Sequence, residues 1–313
     1  MVAFGCSSGG GGPHVLFDLH QPATAVLTPT ATDDFYALPF PNALRVRADG
    51  TVDLARFPQI GGQLGDYVTA INASPARFQN CGVFFRLDGP VDAATLPADA
   101  AGSLADGATV LAVDLTSGQR VPLRTRFTAI NYDFIGPNWI AALPEQGFPF
   151  HEGHDIAVLI TDGVHGTNGK AVARAADLDA VLGGASSSDA GIAQARTVYA
   201  PLRAWLAAHA DVAKHVAGAT YFNSGSSTKI MADLRAAVYA QAPAPTLAAL
   251  VYDGEDPQPN GAPAVDDIYE STYPGPNFQQ GDPPYSSTGG AITDPPTVQR
   301  METLRIAITV PKG

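Results

Sequence analysis

His151-Glu152-Gly153-His154 brings two imidazoles and a carboxylate into one short stretch of chain. The helical zinc motif H-E-x-x-H sets its histidines four apart, so that both lie on one helix face. Here the spacing is one residue shorter. Gly153 and the preceding Phe148-Pro149-Phe150 argue for a turn that leads into a strand, and metal ligation is the minor reading. A second grouping, His154 with Asp162 and His165, offers a weak site at one end of a sheet. Ser224, Ser226 and Ser227 have glycine neighbours but no nucleophile-elbow context, and a nucleophile is defined by its geometry to a base. Asp253, Glu255 and Asp256, with Asp266 and Asp267 further on, form an acidic loop. Calcium favours such oxygen ligands, yet the EF-hand spacing is absent. The first three are therefore weak Ca²⁺ candidates against a solvated acidic loop. Tyr269, Tyr273, Phe278 and Tyr285 are spread through the late loops. Exposed, they make a stacking platform for a carbohydrate or protein; buried, they plug the loops onto a core.

The two cysteines, Cys6 and Cys81, form no CxxC and no zinc spacing. Cys81 stands at the start of a strand and reads as a buried free thiol, a small hydrophobe. Residues 5–9, Gly-Cys-Ser-Ser-Gly, match G-x-S-x-G. That motif acts only on a sharp strand-to-helix turn, whereas here no strand precedes it and polyglycine follows. It is rejected as a catalytic serine, and no cofactor is expected.

Whatever these residues do depends on the elements that hold them. The 313 residues suffice for two or three domains, and 45% are hydrophobic. The 32 Gly and 26 Pro suit short strands joined by many turns. Net charge is −12 and the 18 basic residues are scattered, which argues against a general nucleic-acid binder. No apolar run reaches the length of a membrane-spanning helix.

Residues 1–25 read as a tail and flexible tether, and 26–79 as an extended loop-rich segment anchored by Phe35, Tyr36 and Phe40. Residues 80–173 carry the densest strand signals, including 155–161, with turns at Asp88-Gly89-Pro90 and Ser117-Gly118, and predict a β-sandwich. Residues 174–242 are helical. Ile192, Ala195, Val198, Leu202, Trp205 and Leu206 follow one amphipathic helix that Ser188 or Asp189 caps. A strand at "VAGATYFNS" and a second helix from about Ser227 follow. Residues 243–313 are loop-rich and end in a strand that alternates Leu304, Ile306, Ile308 and Val310. The expected fold is mainly β with added helices: an Ig-like β-sandwich, a small α/β segment and long loops.

Three resemblances sharpen this reading. Ala3-Phe4-Gly5-Cys6 resembles the end of a bacterial lipoprotein signal, with Ala3 where that pattern holds Leu. It implies lipidation of Cys6, a membrane partner through that lipid, and a place on the outer membrane or cell surface, or else secretion. "FRLDGPVDAATL" (Phe85–Leu96) and "FHEGHDIAVLITDGVHGTNG" (Phe150–Gly169) resemble the bacterial Ig-like domains of surface proteins, with Ile156 in place of the usual Tyr. The order of segments, from the Cys6 tail to "LRIAITVPKG", resembles the N-terminal region of secreted virulence-factor-type lipases and esterases. That implies a non-catalytic accessory region whose partner is a C-terminal α/β-hydrolase domain, a serine esterase or lipase, beyond Gly313. No residue here matches that domain's catalytic motifs. The alternative is a complete surface Ig-like module for binding or adhesion.

Overall fold

The computed structural model describes residues 11–21, 35–58, 61–184, 187–258, 261–285 and 289–312. Cys6 and the G-x-S-x-G match at residues 5–9 lie outside them. The chain forms two units, Met1–Ser227 and Thr228–Gly313.

The first unit runs β1 (His14–Val15), α1 (Gln63–Asn72), β2 (Val83–Arg86), α2 (Ala100–Leu104), β3 (Val110–Asp114), β4 (Arg120–Val121), β5 (Leu123–Thr128), β6 (Trp139–Pro144), β7 (Asp155–Thr161), β8 (Ala173–Arg174), α3 (Ala176–Leu182), α4 (Ala190–Val198), α5 (Ala200–Ala208), α6 (Ala210–Ala213) and β9 (Val216–Asn223). The second has α7 (Lys229–Gln241), β10 (Val251–Glu255), β11 (Asp266–Asn277) and β12 (Arg300–Pro311). The fold is mainly β with added helices.

Two antiparallel sheets, β2-β6-β5 and β4-β3-β7-β9, make the sandwich of the first unit, an arrangement compatible with an Ig-like domain. Strand β7 shows why. Its residues alternate between faces, yet nearly all are buried. Ile156, Val158 and Ile160 join Val83, Phe85, Leu123 and Ile140 of the facing sheet in one core. Ala157 and Leu159 point the other way, into a second core with Leu178, Val181, Ile192, Tyr199 and Leu202. A strand apolar on both faces needs cover on both: the opposite sheet supplies one and helices α3 to α5 the other. Each fully buried Leu, Ile or Phe contributes about 1.5–3 kcal/mol.

The structure differs from the sequence reading in places, and strands β10 and β11 form within the segment read as loop-rich. The single helix expected across 190–206 is two helices that meet at Tyr199, with Pro201 in the first turn of the second. Proline has no N–H to give and is accepted only at a helix start. The strand expected at "VAGATYFNS" is β9, which pairs along β7 and closes the second sheet. The helix α1 falls where few regular elements were expected. Asp189 caps α4, its carboxylate accepting from the Ile192 amide at 2.9 Å. Phe35 is buried in the first core, and Tyr36 and Phe40 pack against it.

The second unit is built around a meander, β10-β11-β12. Strands β11 and β12 pair without a break from Asp266↔Pro311 to Asn277↔Arg300. Among the described residues, the other edge of β12 meets no strand. Few side chains of this unit are buried, Ala237, Ser271 and Phe278 among them, while Leu304 and Val310 are exposed.

Candidate functional site

A closely knit polar cluster of the first unit lies where β3 ends and β7 begins. Asp114 is the last residue of β3, and its carboxylate shapes the turn that follows. Oδ1 accepts from the Thr116 and Ser117 amides, both at 3.0 Å. The hairpin is completed by Gly118, whose φ of +75° suits a residue without Cβ. The other oxygen, Oδ2, accepts from His151 Nδ1 at 2.9 Å and His154 Nδ1 at 2.7 Å. The carboxyl is fully buried, whereas the side chains of His151 and His154 are 59% and 33% exposed. Burial pushes the Asp114 pKa up, but hydrogen bonds from His151, the Ser117 amide and His154 outweigh it and hold it at about 2.

The histidines sit on a tight turn. Gly153 takes φ +74°, and its amide donates to the Gly225 carbonyl at 2.7 Å. Ser224, wholly buried, ties the turn together: its hydroxyl donates to the His151 carbonyl and accepts from the His154 amide at 3.2 Å. That hydroxyl is committed to backbone, so Ser224 acts as a brace for the histidine turn and not as a nucleophile. Sequence reading expected the turn and missed Asp114, whose only signal was an Asp at the strand end of "VDLTSG".

The other histidine expectations resolve differently. Asp162 pairs with His215 at 3.0 Å, and His154 belongs to Asp114, so the grouping of His154, Asp162 and His165 does not form. The Asp162–His215 pair lines a groove of about 440 Å³ with Arg120, Asp211 and Lys214. His14 and His20 each have a carboxylate partner. His14 meets Asp88, and His20 bridges Asp177 at 3.1 Å and Asp189 at 2.9 Å.

Cys81 is a free thiol, half-buried, donating to the Phe78 carbonyl at 3.1 Å. Desolvation pushes its pKa up to about 12, which leaves it an inert thiol.

In the second unit, Tyr269 and Tyr273 share one face of the meander. They stand opposite Ile308 and Leu304 of β12, and Tyr269 meets Tyr252 of β10 edge-to-face at 5.5 Å between centroids. Tyr252 is 54% exposed. Tyr285 is held by Arg300, which donates to its hydroxyl and lies 5.9 Å from its ring centre. Phe278 is buried and offers no stacking surface, because it plugs the unit's small core. Of the Ca²⁺ candidates, Glu255 pairs with Lys312, Asp256 accepts from Gln258 at 2.8 Å, and Asp253 lies on β10. They do not converge. Among the described residues, the groups that bring three ligand atoms together are Asp114–His151–His154 and Asp18–His20–Asp177. No helix among the described residues is long and apolar enough to cross a membrane.

A scan against models of protein families finds no match, and no curated protein matches the chain.

Proposed function

We propose that this chain is the non-catalytic accessory region of a cell-surface lipoprotein hydrolase of lipase or esterase type, anchored to the membrane through a lipid on Cys6. The observation that carries the reading is β12. Its inner edge is bonded to β11 over its whole length, while its outer edge meets no strand among the described residues and Leu304 and Val310 are exposed beside it. A long edge of this kind is a template for another strand, which is what an adjoining catalytic sheet supplies. The motif resemblances of the Cys6 tail and of Phe85–Leu96 point the same way.

The test is the genomic reading frame together with an assay. A frame that runs on into an HG segment and G-x-S-x-G is expected; a stop codon directly after Gly313 overturns the hydrolase assignment. The chain alone should not cleave p-nitrophenyl esters, and turnover abolished by a serine-directed inhibitor refutes the accessory role. Cys6→Ser should move the protein out of the membrane fraction.

A second reading is a surface binding module. It is favoured by the half-exposed row of Tyr252, Tyr269 and Tyr273 on one sheet face. Aromatic faces of this kind stack on sugar rings. A glycan-array signal lost in Tyr252→Ala and Tyr273→Ala supports it, and an empty array removes it.

A further inference from the structure

The geometry points to a divalent transition-metal site of zinc type, formed by Asp114, His151 and His154. Three potential ligand atoms, one carboxylate oxygen and two imidazole nitrogens, lie within 4.8 Å of one another. Their arrangement is more than a hydrogen-bonded trio, for three reasons.

The first is that Asp114 has its two oxygens divided by task. The Thr116 and Ser117 amides occupy Oδ1, so the β3 hairpin itself aims Oδ2 at the histidines. A carboxylate whose far oxygen is pinned is a pre-oriented ligand, the arrangement that outer partners give to metal sites.

The second is that the histidine turn is braced from behind. The Ser224 hydroxyl and the Gly225 carbonyl hold the backbone of His151, Gly153 and His154. Neither brace uses an imidazole nitrogen.

The third is that the spacing is close to what an ion requires. Bonds of about 2.0–2.1 Å in a tetrahedral site place ligand atoms roughly 3.3 Å apart. The present contacts are 2.9 and 2.7 Å. An ion therefore enters by opening each contact about half an ångström, which is within rotamer adjustment of the exposed His151. An imidazole in the tautomer that carries its proton on Nε2 presents an Nδ1 lone pair to the ion. The carboxylate offsets one of the ion's two charges, and an anion in the fourth position offsets the other.

The donor set selects the ion class. Two imidazoles and one carboxylate suit zinc and its neighbours. Calcium, which takes six to eight oxygens, is not served. Three protein ligands leave a fourth position at the exposed side of His151. It takes water, or a carboxylate or imidazole from a bound partner.

The experiment is titration of the full chain, without an affinity tag, with ZnCl₂ by calorimetry and with Co²⁺ by visible absorption. One ion per chain, tetrahedral Co²⁺ bands and a raised Tm are expected. His151→Ala and His154→Ala should each weaken Zn²⁺ binding by at least about tenfold, and His209→Ala should not. Asp114→Asn should weaken binding while its remaining oxygen still accepts the turn amides. His151 is exposed, so its variant decides the matter even if His154→Ala unfolds. No saturable binding, or binding unchanged in His151→Ala, overturns the site. Loss of binding in His20→Ala instead also overturns it, because the ion then sits among Asp18, His20 and Asp177.

Discussion

Strands β7 and β12 are both rich in Ile, Val, Leu and Ala, and both are hydrogen-bonded along their length, yet they have opposite fates. Strand β7 has a neighbour on each edge and cover on each face, and every residue after Asp155 is buried. Among the described residues, strand β12 has one neighbouring strand, and no residue of it is buried. The pair shows that a ladder of hydrogen bonds supplies register and little net stability, since each bond replaces one to water. Burial of side chains supplies the rest.

The largest test of that contrast is a pair of truncations. Phe85→Ala, at a fully buried position, should cost about 3–5 kcal/mol. Leu304→Ala, at 38% exposure, should cost under about 1 kcal/mol in chemical denaturation. Equal costs would mean that the β12 face is covered. A smaller effect probes the packing of β1 on the second sheet. A Cβ on Gly218 would lie 2.5 Å from Val15 Cγ1, so Gly218→Ala should destabilise by about 1–3 kcal/mol through overpacking; a neutral result would show that β1 yields freely.

Native-state hydrogen exchange resolves the same contrast strand by strand. Amides of β7, and those of β9 bonded to it, should exchange only through global opening, and those on the outer edge of β12 much faster. Uniform protection would break the comparison.

The smallest expected effect is electrostatic. The hydrogen bond to Asp189, then the charge of Asp177, raises the His20 pKa above 6.5. The hydrogen bond from His20 and that from the Ile192 amide lower the Asp189 pKa below 3.8. The His20 contribution is complete below the unfolded value of 6.5 and fades as pH rises through the folded one. The Asp189 contribution is complete above 3.8 and fades as pH falls. The clamp is therefore fullest between those two values. An NMR titration should place the His20 midpoint above 6.5 in the wild type and closer to it in Asp189→Asn. A midpoint that does not move detaches the clamp from Asp189.

Part of the architecture was open to a reader of residues. A short apolar run gave β7, alternating apolar positions gave β12, the turn at Ser117-Gly118 lay between two strands, and Asp189 stood where a helix cap belongs. The division of the expected amphipathic helix at Tyr199 was also written locally, in Pro201, but the continuous apolar spacing masked it.

The candidate metal centre was half legible. His151 and His154 attracted notice by proximity, and their spacing spoke against a helical motif. Asp114 is 37 residues away from the first of them along the chain, and nothing local marks it as their partner. Antiparallel pairing of Asp114 with Ile156 is what brings it there.

From sequence alone came the things that obey short-range rules: strand periodicity, turn residues, caps and the class of the fold. Tertiary structure alone decided which edges pair, that β9 closes the second sheet, that Tyr273 shares a face with Leu304 while Phe278 is buried, and that three ligands from two segments converge. The physical reason is that local preferences depend on neighbours along the chain, whereas convergence depends on register. Register is set by how whole apolar faces find cover, a property no single stretch of residues carries.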